Sequence, residues 1–140
     1  MFLSKNMEVK LPLVLGSSSV FRCGQLRRLG IDFQTASPDF DETPIAGEHA
    51  GETALRLAEG KARSLAATFP AALIIGADQV AWCEGRQLGK PMNVANAQQM
   101  LRDLSGRKIE FYSAIVLLNT ASGRIQRHVD NTSVVMRALT

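Results

Sequence analysis

The stretch Leu11-Pro-Leu-Val-Leu-Gly-Ser-Ser-Ser-Val-Phe-Arg22 decides the fold. Its apolar run from Leu11 to Leu15 has the length of a buried strand, and Gly16 with three serines turns it into a loop. Ser19 is a natural N-cap, because its side-chain oxygen can accept an unsatisfied N–H of the first helical turn. Beyond it Leu26 and Leu29 supply apolar positions, Arg27 and Arg28 suit the negative end of a helix, and Gly30 is the predicted stop. A strand, a small-residue loop and a helix N-terminus therefore open the chain.

Working outward, the residues from Ser37 to Gly51 mix proline, glycine and acidic side chains, the composition of an exposed loop. Leu55, Ala58, Ala62, Leu65, Ala66 and Phe69 then recur at steps of three and four, predicting a helix that Pro70 ends. Gly60 sits inside it at a cost of about 1 kcal/mol relative to Ala. Nothing in the sequence accounts for that glycine.

Leu73, Ile74 and Ile75 read as a buried strand stopping at Gly76, with Asp78 just beyond it. Val80 to Trp82 and Arg86 to Leu88 flank Glu84 and Gly85 as a hairpin. A further helix is expected from Asn93 or Asn96, burying Ala97, Met100, Leu101 and Leu104 and ending at Gly106. Ile109 to Leu118 and Ile125 to Leu139 then predict two long antiparallel strands around Asn119, Ser122 and Gly123. This order gives an α/β fold with a mixed twisted sheet and flanking helices. Val134, Val135 and Met136 are strand-like but no following element covers them before Thr140, so the chain reads as a fragment.

A length of 140 residues fits one domain, 1–140, and folding should bury roughly two-thirds of the unfolded surface without metal or disulfide staples. Apolar residues at 46% and charged residues at 21% exclude a disordered or disulfide-framework protein. Sixteen Lys and Arg against thirteen Asp and Glu give only +3, without the basic runs of a nucleic-acid arm, so a small anionic ligand fits better. Cys23 and Cys83 lack metal or disulfide spacing, and no apolar run reaches membrane-span length. A cytoplasmic protein with reduced thiols, no nucleic-acid partner and no membrane partner is expected.

Three groups can carry chemistry. Gly16, Ser17, Ser18, Ser19 and Arg22 resemble a phosphate cradle, in which small residues admit the anion and Arg22 adds a charge-assisted fork. A plain strand-to-helix turn with a serine cap explains the same residues equally well. Asp39, Asp41 and Glu42 with Asp78 offer hard oxygen ligands for a divalent cation bound to a polyphosphate, and Asp78 is the best placed as a proton acceptor. A turn-forming Asp78 and a solvated acidic loop are the alternative. Lys61 can snorkel outward or enter a cleft, and Lys90, between Gly89 and Pro91, can meet a phosphate or sit in an exposed turn. His49 and His128 are read as surface or sheet residues, and both cysteines as inert.

Six ordered stretches together are similar to the Maf family: Ser17-Ser-Ser-Val-Phe-Arg22, Asp39-Phe-Asp-Glu-Thr-Pro44, Leu55-Arg-Leu-Ala-Glu-Gly-Lys-Ala62, Ile75-Gly-Ala-Asp-Gln79, Gly89-Lys-Pro91 and Leu104-Ser-Gly106. The resemblance implies an elongated, two-lobed α/β architecture of the Maf/ITPase type. It also implies a nucleotide pyrophosphatase that converts a nucleoside triphosphate to the monophosphate and pyrophosphate with a divalent metal. Mg²⁺ is the expected ion and Mn²⁺ the alternative. By the same resemblance Ser17, Ser19 and Arg22 bind substrate, Asp78 accepts the proton, and Glu42, Lys61 and Lys90 complete the catalytic set. Glu42 and Asp78 hold the metal.

Phe21 and Gln79 resemble the YceF-type branch, which prefers 7-methyl-GTP; a cationic methylated base stacks well on an aromatic ring. Family members are often homodimers, so a homodimer is expected too. The chain departs from the family at Val20, Cys23, Gly60 and Ala114, and members continue beyond the position matching Thr140 with further helix and strand. That shortfall motivates a rival expectation: a non-catalytic nucleotide-binding or cell-division regulatory protein.

Overall fold

The computed structural model describes residues 10–89 and 93–138. In chain order they form β1 (Leu13–Gly16), α1 (Val20–Arg27), β2 (Gln34–Ala36), α2 (Ala50–Arg63), β3 (Leu73–Cys83), β4 (Arg86–Leu88), α3 (Val94–Leu104), β5 (Lys108–Asn119) and β6 (Ile125–Val135). The strands make one sheet in the order β2-β1-β3-β5-β6, with β4 attached to β3. β1 is parallel to β2 and β3, whereas β3, β5 and β6 are antiparallel in succession. The expected mixed α/β sheet is present.

From β1 the chain crosses through α1 to β2, then returns through α2 to β3 on the other side of β1. α2 packs on the face of Val14, Ile74 and Val80, and α1 borders Leu15, Ile75 and Gln79, the alternate positions of the same strands, so the two helices lie on opposite faces of the sheet. The α2 face holds the main core. Ala50, Ala54, Ala58 and Ala62 of α2 pack with Val14, Ile74, Val80, Tyr112, Ala114, Val116 and Leu118. Alanines let helix and sheet approach closely, and Gly76 completes the fit: a Cβ there would lie 2.1 Å from the Ala58 carbonyl oxygen. A second apolar cluster, Cys83, Leu104 and Ile109 with Leu88, Met100 and Phe111 against them, lies toward the far end of β3.

Local chemistry explains the element ends. Ser19 caps α1 by accepting the Arg22 N–H, as expected, and Gly30 follows with φ +72°. His49 caps α2, with its Nδ1 accepting the Gly51 N–H while Glu52 accepts the His49 N–H. Glu84 and Gly85 both have positive φ, the geometry a two-residue hairpin requires.

Several expectations need correction. β3 does not stop at Gly76: it runs unbroken to Cys83, so Asp78 lies within a strand. Gly76 there gives way to a helix rather than ending a strand. α2 ends at Arg63, short of Pro70, and its buried face is Ala50, Thr53, Ala54, Leu57, Ala58, Lys61 and Ala62, leaving Leu55 only half-buried. In α3 only Leu104 is buried, and Leu101 is exposed. β2, three residues long and mostly exposed, carries too little apolar pattern to be read in advance.

Candidate active site

On one side β3 is paired with β5 continuously from Leu73 to Trp82. On its other side β1 pairs only with residues 73–76 and β4 only with residues 81–83. Residues 77–80 are therefore unflanked on that edge, immediately beyond the carboxyl end of β1. There the chain leaves β1 in one direction and β3 in the other, the switch point at which α/β sheets bind ligands. A cleft of about 740 Å³ opens here, lined by Ser19, Phe21 and Arg22 from α1 and its cap, by Asp78 and Gln79 of β3, and by Ser113 of β5.

Alternation along β3 turns Asp78 toward α2 and Gln79 toward the α1 side. Both still border one cleft, since no neighbouring strand screens the edge between the two faces. Asp78 is 8% exposed, and its Oδ1 accepts a 2.7 Å hydrogen bond from the Lys61 ammonium, itself 9% exposed. Glu42 Oε1 stands 3.5 Å from the same ammonium. Of its two alternative orientations, Lys61 thus takes the inward one. Burial raises the Asp78 pKa above the ordinary aspartate value; the Lys61 hydrogen bond and charge oppose this, Glu42 repulsion adds to it, and Arg22 opposes it.

The structure brings Arg22, Glu42, Lys61 and Asp78 into one electrostatic neighbourhood. Arg22 makes no salt bridge among the described residues, which leaves its guanidinium open to an anion. Ser17 and Ser19 are engaged locally: Ser17 Oγ accepts the Ser19 N–H at 3.0 Å and Ser19 Oγ the Arg22 N–H at 3.3 Å. Each hydroxyl retains a hydrogen to donate. Phe21 is 73% exposed at the cleft wall.

Asp39 and Asp41 do not join the cluster. The Asp39 N–H bonds Ser64 Oγ, and Asp41 accepts from the Thr43 hydroxyl and N–H, contacts that lower its pKa. Lys90 lies outside the described residues.

Sequence reading missed Ser113, His128 and Asp130, which line the same cleft. Register aligns them: Gln79 pairs with Ser113 and Ser113 with Asp130, forming a polar row across the sheet. His128 is a sheet residue as expected, and its Nε2 lies 2.9 Å from Asp130 Oδ1. Counting outward from the Asn119 to Gly123 turn would have exposed this row.

The donor set can be tested against a divalent cation. Among the described residues no group of three metal-ligating side chains exists. Two carboxylates, Glu42 and Asp78, nevertheless converge on one ammonium. Mg²⁺ is usually held by one or two carboxylates, with phosphate oxygens and water in the remaining positions, so this pair fits it. Among the described residues no helix is long and apolar enough to cross a membrane.

Comparison with known proteins places the chain among its relatives. A 7-methyl-GTP pyrophosphatase of Neisseria meningitidis serogroup A / serotype 4A is 74% identical over 133 residues, covering 95% of this chain and 68% of the relative. The protein of that name from Nitrosospira multiformis is 47% identical over 135 residues, covering 96% of this chain and 68% of its own. A HAM1 protein structure from Coxiella burnetii superposes with a TM-score of 0.56 over 87% of this chain and 72% of the other; at 21% identity it shows the fold alone. With the Maf-like protein family matched over residues 12–140, from the first strand through the acidic loop and Asp78 to the last strand, the chain belongs to that family.

Proposed function

We propose that the chain is a nucleotide pyrophosphatase that hydrolyses 7-methyl-GTP to 7-methyl-GMP and pyrophosphate. The observation that carries this reading is the convergence of Glu42, Lys61 and Asp78, from a loop, a helix and a strand, beside the open guanidinium of Arg22. The names of the similar proteins support the substrate.

Water attacks the α-phosphorus, the bond from that phosphorus to the bridging oxygen breaks, and pyrophosphate leaves. Asp78 takes the proton of the attacking water, a task for which burial suits it better than an exposed aspartate. Arg22 and Lys61 offset negative charge on the phosphate oxygens, and the α1 N-terminus with the Ser19 hydroxyl positions them. Lys90, as in the family, is assigned to the same charge-balancing set. Glu42 and Asp78 would hold Mg²⁺, which when bound neutralises charge on the phosphates. Phe21 offers a face for stacking a cationic methylated base, and Gln79 an amide for its edge.

Incubation with 7-methyl-GTP, GTP and UTP plus Mg²⁺ should release pyrophosphate, fastest from 7-methyl-GTP. Asp78→Asn should lower kcat by on the order of a thousandfold while the protein stays folded by circular dichroism. Saturable nucleotide binding without any release would favour a non-catalytic binding protein instead.

A further inference from the structure

Gly60 occupies the middle of α2, where a glycine weakens a helix. Its surroundings supply the reason. A Cβ at position 60 would lie 2.2 to 2.4 Å from three ring atoms of Phe40, far inside any permitted contact. Phe40 belongs to the acidic loop, two residues before Glu42, and Gly60 immediately precedes Lys61 on the helix. The ring is 36% exposed, so a methyl group at 60 would push it into solvent more readily than it would bend α2.

We propose that Gly60 and Phe40 are positioning residues: the bare backbone at 60 seats the Phe40 ring, and the seated ring holds Glu42 within reach of Lys61 and Asp78. Other ties flank this one. The Asp39 N–H bonds Ser64 Oγ at 3.3 Å, and Arg56 reaches the Thr43 carbonyl at 3.4 Å. Both contacts are exposed polar ones that water can replace, and although Thr43 adjoins Glu42, neither touches the Glu42 side chain. Between them the ring-on-glycine contact is the apolar anchor, and water cannot substitute for it. An aromatic ring also has few rotamers, so it fixes the adjoining backbone more sharply than a long flexible side chain would. The helix gives up intrinsic stability at Gly60 in exchange for a placed carboxylate.

The catalytic part of this inference rests on the proposed pyrophosphatase activity; the structural part does not. Gly60→Ala should lower kcat for pyrophosphate release by roughly ten- to a hundredfold, since ångström-scale misplacement is costly, with little change in KM and a thermal midpoint unchanged or raised. Phe40→Ala should do the same by removing the other half of the contact. In a Glu42→Gln background neither substitution should lower kcat further, because its target is already gone. Amide hydrogen exchange at Asp39 should speed up in both variants. Unchanged kcat in both variants, an equal loss in the Glu42→Gln background, or unchanged exchange at Asp39 would each overturn the assignment. If the unmodified protein released no pyrophosphate from any nucleotide, the function would fall, while the exchange measurement would still decide the anchor.

Discussion

The two faces of the sheet are built on opposite principles. On the α2 side, alanines and Gly76 bring helix and strands into close packing, and Ile74, Val14 and Val116 are fully buried. On the α1 side the helix has no buried residue, and Leu29, Phe21 and Ile115 remain exposed beside the cleft. The packed face holds Lys61 and Asp78, and the open face carries Arg22 and, in the proposed function, receives the nucleotide. A lysine and two carboxylates need a rigid, partly desolvated frame to stay in register, whereas a binding surface needs room.

The contrast can be broken most severely at Gly76. Gly76→Ala drives a methyl group into the backbone of α2, which cannot move aside as a side chain can, and should cost about 3 kcal/mol or more by denaturant titration. A smaller effect is expected at the far margin of the same face. Glu59 accepts from Arg127 and Arg63, in that order of influence, and the pair hold its pKa down to about 2. A depressed carboxylate stabilises the fold fully above its ordinary value near 4.5, and that contribution fades as pH falls toward about 2. Both arginines are well exposed to solvent, so screening reduces the effect, and Glu59→Gln should lose about 1 kcal/mol at pH 7 and nothing at the acid end. Comparing thermal melts of the two proteins at both pH values checks the sign. Least of all, Leu29→Ala on the open face should shift stability by less than about 0.5 kcal/mol. A large loss there would mean that the open face is structural after all.

Much of this architecture was legible in the chain. Ser19 as a cap, Glu84 with Gly85 as a hairpin turn and the long β5–β6 pair all follow from local chemistry, which is written residue by residue. The candidate site was legible in part of its membership and not in its arrangement. Glu42, Lys61 and Asp78 stand out as residue types, but their meeting depends on α2 returning across β1, a decision of topology. Glycines misled most: Gly76 looks like a strand end and Gly60 like an unexplained cost, because a glycine's partner is the atom that comes close to it, and that atom is distant in sequence. His128 and Asp130 stayed hidden for a related reason, since strand register alone carries them to Ser113 and Gln79.

The unflanked stretch of β3 has one more implication. Its two limits, Gly76 against β1 and Ala81 against β4, are fixed by hydrogen-bonded register, so the aperture is a calibrated slot of roughly 16 Å at about 3.3 Å per residue. Such an opening cannot be widened gradually. Lengthening or shortening either neighbour changes it by whole residue increments, so the width of the opening is set in steps, like the notches of a gauge.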